Sequence, residues 1–133
     1  MEEKIQRPDD AFIDIKNSSL EPGSLMVTLD RFQNAIASDE SSASEHIGEL
    51  VAAIYQQFQY EEYLMETSRY PLDDIHTMEH NRIMSTMIHS LTAINGCPDV
   101  FGRVIDRLRI MFRVHSENFD HVLYGYFKKK YSC

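Results

Sequence analysis

Gln57-Phe58-Gln59-Tyr60-Glu61-Glu62 leads through Tyr70-Pro71 to His76-Thr77-Met78-Glu79-His80, and this stretch decides how the whole chain is read. It crosses from one helix-patterned segment, through a proline-marked turn, into another. Glu61 stands three residues after Phe58 and four before Met65, so on a helix its carboxylate shares their apolar face. An unpartnered buried carboxylate is costly, so Glu61 calls for a partner. His76 and His80 are four apart and share one face of the next helix. Two imidazoles at that spacing can hold one metal ion, although in a chain with six His the spacing alone says little.

Working outward, the preceding helix runs from about Ser44 to Ser68, with Ile47, Leu50, Val51, Ile54, Phe58 and Met65 on its buried face. Gln57 falls one turn before Glu61. Pro71 suits the first position of the following helix, and Asp73 and Asp74 suit its positive end. That helix reaches about Ile94, with Ile83, Met84, Met87, Leu91 and Ile94 inward, and His76 and His80 extend the same stripe. Asn95-Gly96-Cys97-Pro98 is a stop-and-turn signal. Upstream, Ser24 N-caps a helix to about Ser38 whose stripe is Leu25 or Met26, Leu29, Phe32 and Ile36, with Gln33 on it. Ser38 to Ser44 reads as a short loop. Downstream, a long helix from about Pro98 to Lys128 turns Phe101, Val104, Leu108, Met111, Phe112, Phe119, Val122 and Tyr126 inward, with His115 at the centre of that face. His46 reads as a solvated surface residue and His89 as a structural one beside its stripe.

Four amphipathic helices with short turns and no strand-like alternation predict an all-α fold, an up-down-up-down four-helix bundle over residues 24–130. Residues 1–23 read as an N-terminal arm pinned by Phe12 and Ile15, and residues 131–133 as a C-terminal tail. At 133 residues one domain can bury an ordinary core. The formal charge of -8 argues against nucleic acid as a partner. Lys128-Lys129-Lys130 reads as cations favoured at a helix C-terminus. No apolar run approaches the ~20 residues of a membrane span, so no membrane partner is expected. The charged start Met1-Glu2-Glu3-Lys4 carries no apolar signal region, and the two Cys show no metal or disulfide spacing. The expectation is a cytoplasmic chain.

The expected interior therefore gathers Gln33, Gln57, Glu61, His76, His80 and His115 from all four helices. Imidazole with carboxylate suits iron, zinc or manganese. Periodicity by itself leaves a metal site and a buried hydrogen-bonded network equally open.

At these residues the chain resembles the hemerythrin family in its bacterial form. The family's His-Phe-x-x-Glu-Glu corresponds to Gln57-Phe58-Gln59-Tyr60-Glu61-Glu62, its Tyr-Pro to Tyr70-Pro71, and its His-x-x-Glu-His to His76-Thr77-Met78-Glu79-His80. Its His-x-x-x-x-Asp corresponds to His115 through Asp120, and its Asp-x-x-His-x-x-Leu, more loosely, to Asp30 through Ile36. The resemblance implies a non-haem di-iron site that binds O2. It makes Glu61 and Asp120 bridging ligands and His76, His80 and His115 the ligands of one iron. Position on an ideal helix would put Asp120 about 140° from His115 and toward solvent, so this role comes from the resemblance and implies a local irregularity in the helix.

The chain departs from the family where the other iron would sit, because Gln33 and Gln57 replace both its His. A carboxamide oxygen is a weak donor beside imidazole. The reading is thus one mononuclear non-haem iron, with Zn or Mn as alternatives, held by Glu61, His76, His80, His115 and Asp120. Gln33 and Gln57 serve as weak ligands or as hydrogen-bond partners of a water. The alternatives are a di-iron site completed by Gln or water, and a metal-free interaction module. One iron lacks the second electron of reversible O2 carriage. The expected role is therefore sensing or binding of O2 or another small oxidant, with a separate and unknown protein partner and enzymatic activity as a minority reading. No Ser/His/Asp set, Gly-rich phosphate loop or CxxC offers a rival chemistry.

Overall fold

A computed structural model describes residues 24–38, 43–94 and 101–131. The expected arm, both turn signals at 39–42 and 95–100, and the last two residues lie outside the described residues. Those described are almost entirely helical, with no strand among them, so the chain is all-α. The helices are α1 (Ser24–Ser38), α2 (Ala43–Ser68), α3 (Asp73–Ile94), α4 (Phe101–His115) and α5 (His121–Tyr131). A single π-helical turn, Ser116–Asp120, joins α4 to α5 without a break. Both α1 and α3 pack against α2 and α4. Among the described residues no helix is long and apolar enough to cross a membrane.

Two apolar clusters stand along the helices. The larger includes Leu29, Leu50, Ile54, Phe58, Ile83, Met87, Ile105, Leu108 and Phe112. The smaller is Leu64, Met65, Tyr70, Leu123 and Phe127. Each fully buried aliphatic or aromatic side chain contributes about 1.5–3 kcal/mol, so burial of these faces holds the helices together. Between the clusters, α2 passes from Phe58 to Leu64 through Glu61, α3 leads into Ile83 from His76 and His80, and the π turn separates Phe112 from Leu123. The polar layer is therefore sandwiched between apolar ones.

The link from α2 to α3 is built by its own hydrogen bonds. Arg69 adopts φ 58°, Arg69 N–H donates to Glu66 O (3.2 Å), and Tyr70 N–H donates to Met65 O (2.9 Å). This is a Schellman cap with Arg where Gly is usual, and buried Tyr70 supplies the accompanying contact with Met65. Asp73 N–H then donates to Tyr70 O (3.2 Å), making Tyr70-Pro71-Leu72-Asp73 a turn with Pro at its second position. Hence α3 starts at Asp73, two residues beyond the expected Pro71.

The π turn corrects the expected inner face of the last helix. An i→i+5 turn holds an extra residue, so every later side chain is displaced in register. Leu123 and Phe127 are buried, whereas Val122, expected inside, is 46% exposed and Tyr126 is half-buried. At the far end, Lys130 Nζ and the Tyr126 hydroxyl both donate to Ser68 O, so one of the three lysines ties α5 to the end of α2.

Candidate metal centre

Each helix that reaches the polar layer does so for a local reason. On α2, Glu61 follows Phe58 by three residues and lies on the same buried stripe. On α3, His76 and His80 occupy the first two turns of the face that continues with Ile83. On the last helix, the π turn gathers in residues that an α-helix would splay, bringing Asp120 Oδ1 within 2.9 Å of His115 Nε2. Glu61, His76, His80, His115 and Asp120 are all buried, and one ligand atom from each lies within 4.8 Å of every other.

The separations are those of donor atoms around a common centre. Glu61 Oε1 is 2.6 Å from His76 Nε2 and 2.9 Å from His80 Nε2, and Asp120 Oδ1 is 3.3 Å from His76 Nε2. Ligands about 2.1 Å from an ion stand about 3.0 Å apart when adjacent and about 4.2 Å when opposite. Moreover, the Nε2 atoms of His76 and His115 make no aligned hydrogen bond despite these short approaches. An imidazole and carboxylate set of this kind fits a first-row transition metal.

Rings hold the imidazoles in place. Phe58 stacks on His80 at 3.9 Å between centroids and 7° between planes, and Phe119 stacks on His115 at 5.3 Å and 12°. Tyr70 meets His76 edge-on. These side chains also surround the polar layer with apolar surface, and the resulting desolvation shifts the protons. Burial, and then the neighbouring Asp120, push Glu61 up to about 7 against the pull of His76. Burial alone would lower His76, but Asp120 and Glu61 outweigh it and push the imidazole up to about 9. Burial and the charge of His76 push His80 down to about 4, against the effect of Glu62. Burial would raise Asp120, yet His115 and His76 hold it well below the usual carboxylate range. Without an ion, protons balance the buried carboxylates.

The two glutamines sit differently from expectation. Both are half-buried and not in the full interior. Gln33 Oε1, its metal-binding atom, accepts a hydrogen bond from Arg109, whose guanidinium also pairs with Asp30. Gln57 Nε2 donates to Thr28 Oγ1 (3.0 Å), and its buried Oε1 has no protein partner. The surface contact therefore draws Gln33 outward, because a charge-assisted bond to Arg109 outweighs burial of a neutral amide. His46 is half-buried, with Nδ1 3.6 Å from Glu49, and not fully solvated as expected; His89 is exposed on a shallow groove with Ser85, Ile88 and Thr92.

Glu62 stands in the Glu-Glu pair that carries the resemblance, yet the sequence assigns it no role. Its Oε2 lies 2.8 Å from His80 Nδ1. One step from Glu61 on a helix, it has the place of a solvated side chain, and the one signal for it is that a buried imidazole needs a partner on each nitrogen. Comparison with known protein families, with curated proteins and with solved structures finds no match to this chain.

Proposed function

We propose that this chain is a hemerythrin-like up-down-up-down four-helix bundle that holds one non-haem iron ion and senses or binds O2 or another small oxidant in the cytoplasm. The convergence of five buried ligand atoms within 4.8 Å carries this reading. His76, His80 and His115 would be the nitrogen ligands, and Glu61 and Asp120 the oxygen ligands. The same donor set accepts Zn or Mn. When bound, iron supplies one-electron redox chemistry and a coordination position for a small ligand. The chain's own groups orient and enclose: Phe58 and Phe119 fix the planes of His80 and His115, and the apolar wall keeps bulk water out.

A single ion, and not a pair, is favoured by the engagement of Gln33 with Arg109, which places a fixed positive charge beside the only amide oxygen that α1 could offer from that position. A metal-free network is the second reading, supported by the hydrogen bonds of His80 to both Glu61 and Glu62. Elemental analysis after anaerobic reconstitution with ferrous iron, followed by an optical spectrum in air, separates them. One iron per chain, lost in His76→Ala, is expected. Two irons with an oxo-bridge charge-transfer band would refute the single-ion reading, and none would leave the network.

A further inference from the structure

Glu62 neighbours Glu61 in sequence, but its side chain keeps 24% exposure where that of Glu61 keeps 6%. It stands at the rim of the polar layer and reaches inward to one atom. Its Oε2 is 2.8 Å from His80 Nδ1. The outer nitrogens of the other two imidazoles, His76 Nδ1 and His115 Nδ1, have no protein partner. His80 is also the imidazole held closest under an aromatic face, that of Phe58.

An ionised carboxylate accepts hydrogen bonds and donates none. Glu62 therefore favours the hydrogen on Nδ1 and the lone pair on Nε2. That is the atom aimed at the layer, 2.9 Å from Glu61 Oε1. In the metal-free site Glu61 Oε1 competes for a hydrogen on Nε2, but it stands closer to His76 Nε2, at 2.6 Å. A free neutral imidazole prefers the opposite arrangement, with hydrogen on Nε2, which would block that atom as a donor. We propose that Glu62 is a positioning residue that sets the tautomer and ring orientation of His80, making it the preorganised ligand onto which the remaining donors close. This rests on the metal-binding reading above. It makes the three imidazoles unequal: His80 has its outer nitrogen tied to Glu62, while the outer nitrogens of His76 and His115 have no protein partner.

Two substitutions test it, Glu62→Ala and Glu62→Gln, each confirmed as folded by circular dichroism. Zn2+ is the probe ion, titrated against a competing chelator, and the imidazole nitrogens of the metal-free protein are read by long-range proton–nitrogen NMR. Outer partners of metal-bound His typically change affinity 10–100-fold. Glu62→Ala is expected to lose affinity in that range at unchanged stoichiometry, with the His80 hydrogen moving from Nδ1 toward Nε2. Glu62→Gln keeps an accepting oxygen, so it should retain the tautomer and recover most of the affinity. An unchanged His80 tautomer in Glu62→Ala, or an affinity within twofold of the parent, would overturn the proposal. So would an equal affinity loss in both variants, which would mark a role of charge alone. If the parent binds no Zn2+, the metal reading fails, and the NMR arm still decides whether Glu62 sets the tautomer.

Discussion

Loading the metal-free protein with a divalent ion should expel protons, by an amount that the site's own geometry sets. The ion requires His76 with a free lone pair and Glu61 ionised. In the metal-free site, His76 titrates near 9, because Glu61 and Asp120 outweigh its burial, and Glu61 titrates near 7, because burial and Asp120 raise it. At pH 7.5 His76 is then mostly protonated and Glu61 mostly ionised, so roughly one proton leaves per ion bound. Above the His76 value the release falls toward zero. Affinity should accordingly rise roughly tenfold per pH unit from 7 to 8.5 and level off beyond about 9. Calorimetric titration with Zn2+ in buffers of different ionisation enthalpy measures the release directly. No release at pH 7.5, or an affinity unchanged between pH 7 and 9, would refute the charge coupling inferred from these contacts. The same value acts with the opposite sign on the metal-free fold. His76 titrates higher in the fold than its ordinary 6.5, so its contribution to stability is full below about 6.5 and is lost as the pH rises through about 9.

Three other outcomes are expected. Phe127→Ala should cost about 3–5 kcal/mol and Val122→Ala under about 0.5 kcal/mol by urea denaturation, and the reverse order would refute the register shift at the π turn. Arg69→Gly should stabilise the chain by up to about 1 kcal/mol by removing a side chain from a left-handed backbone position; a loss of stability would mean that the Arg69 side chain itself contributes. An ion present at 100 times its dissociation constant should add about 2.7 kcal/mol and raise the melting temperature by roughly 10 °C, reversibly with chelator, and a thermal scan that does not move would argue against the metal centre.

Local pattern determined much of this protein. The 3.6-residue spacing of apolar side chains is enough to mark the helices and to place Glu61, His76, His80 and His115 inward, because a helix repeats its own geometry whatever it packs against. The buried positions of Leu29, Ile54, Phe58, Met87 and Leu108 follow from the same arithmetic. Where that arithmetic is broken, residue spacing cannot follow. No composition marks Ser116–Asp120 as a π turn, so only the family resemblance brings Asp120 to the site, and helical spacing puts Val122 on the wrong side. Gln33 lay on the stripe by period, yet Arg109, far away in the chain, draws its amide outward. Glu62 is polar, adjacent to another Glu and on the rim, and nothing in its neighbours by sequence distinguishes it from a solvated charge. It acquires a role only when α3 brings His80 Nδ1 against it. Periodicity encodes which face of a helix is buried, whereas a helix defect and a cross-helix hydrogen bond depend on what the neighbouring helix presents, and tertiary packing alone decides that.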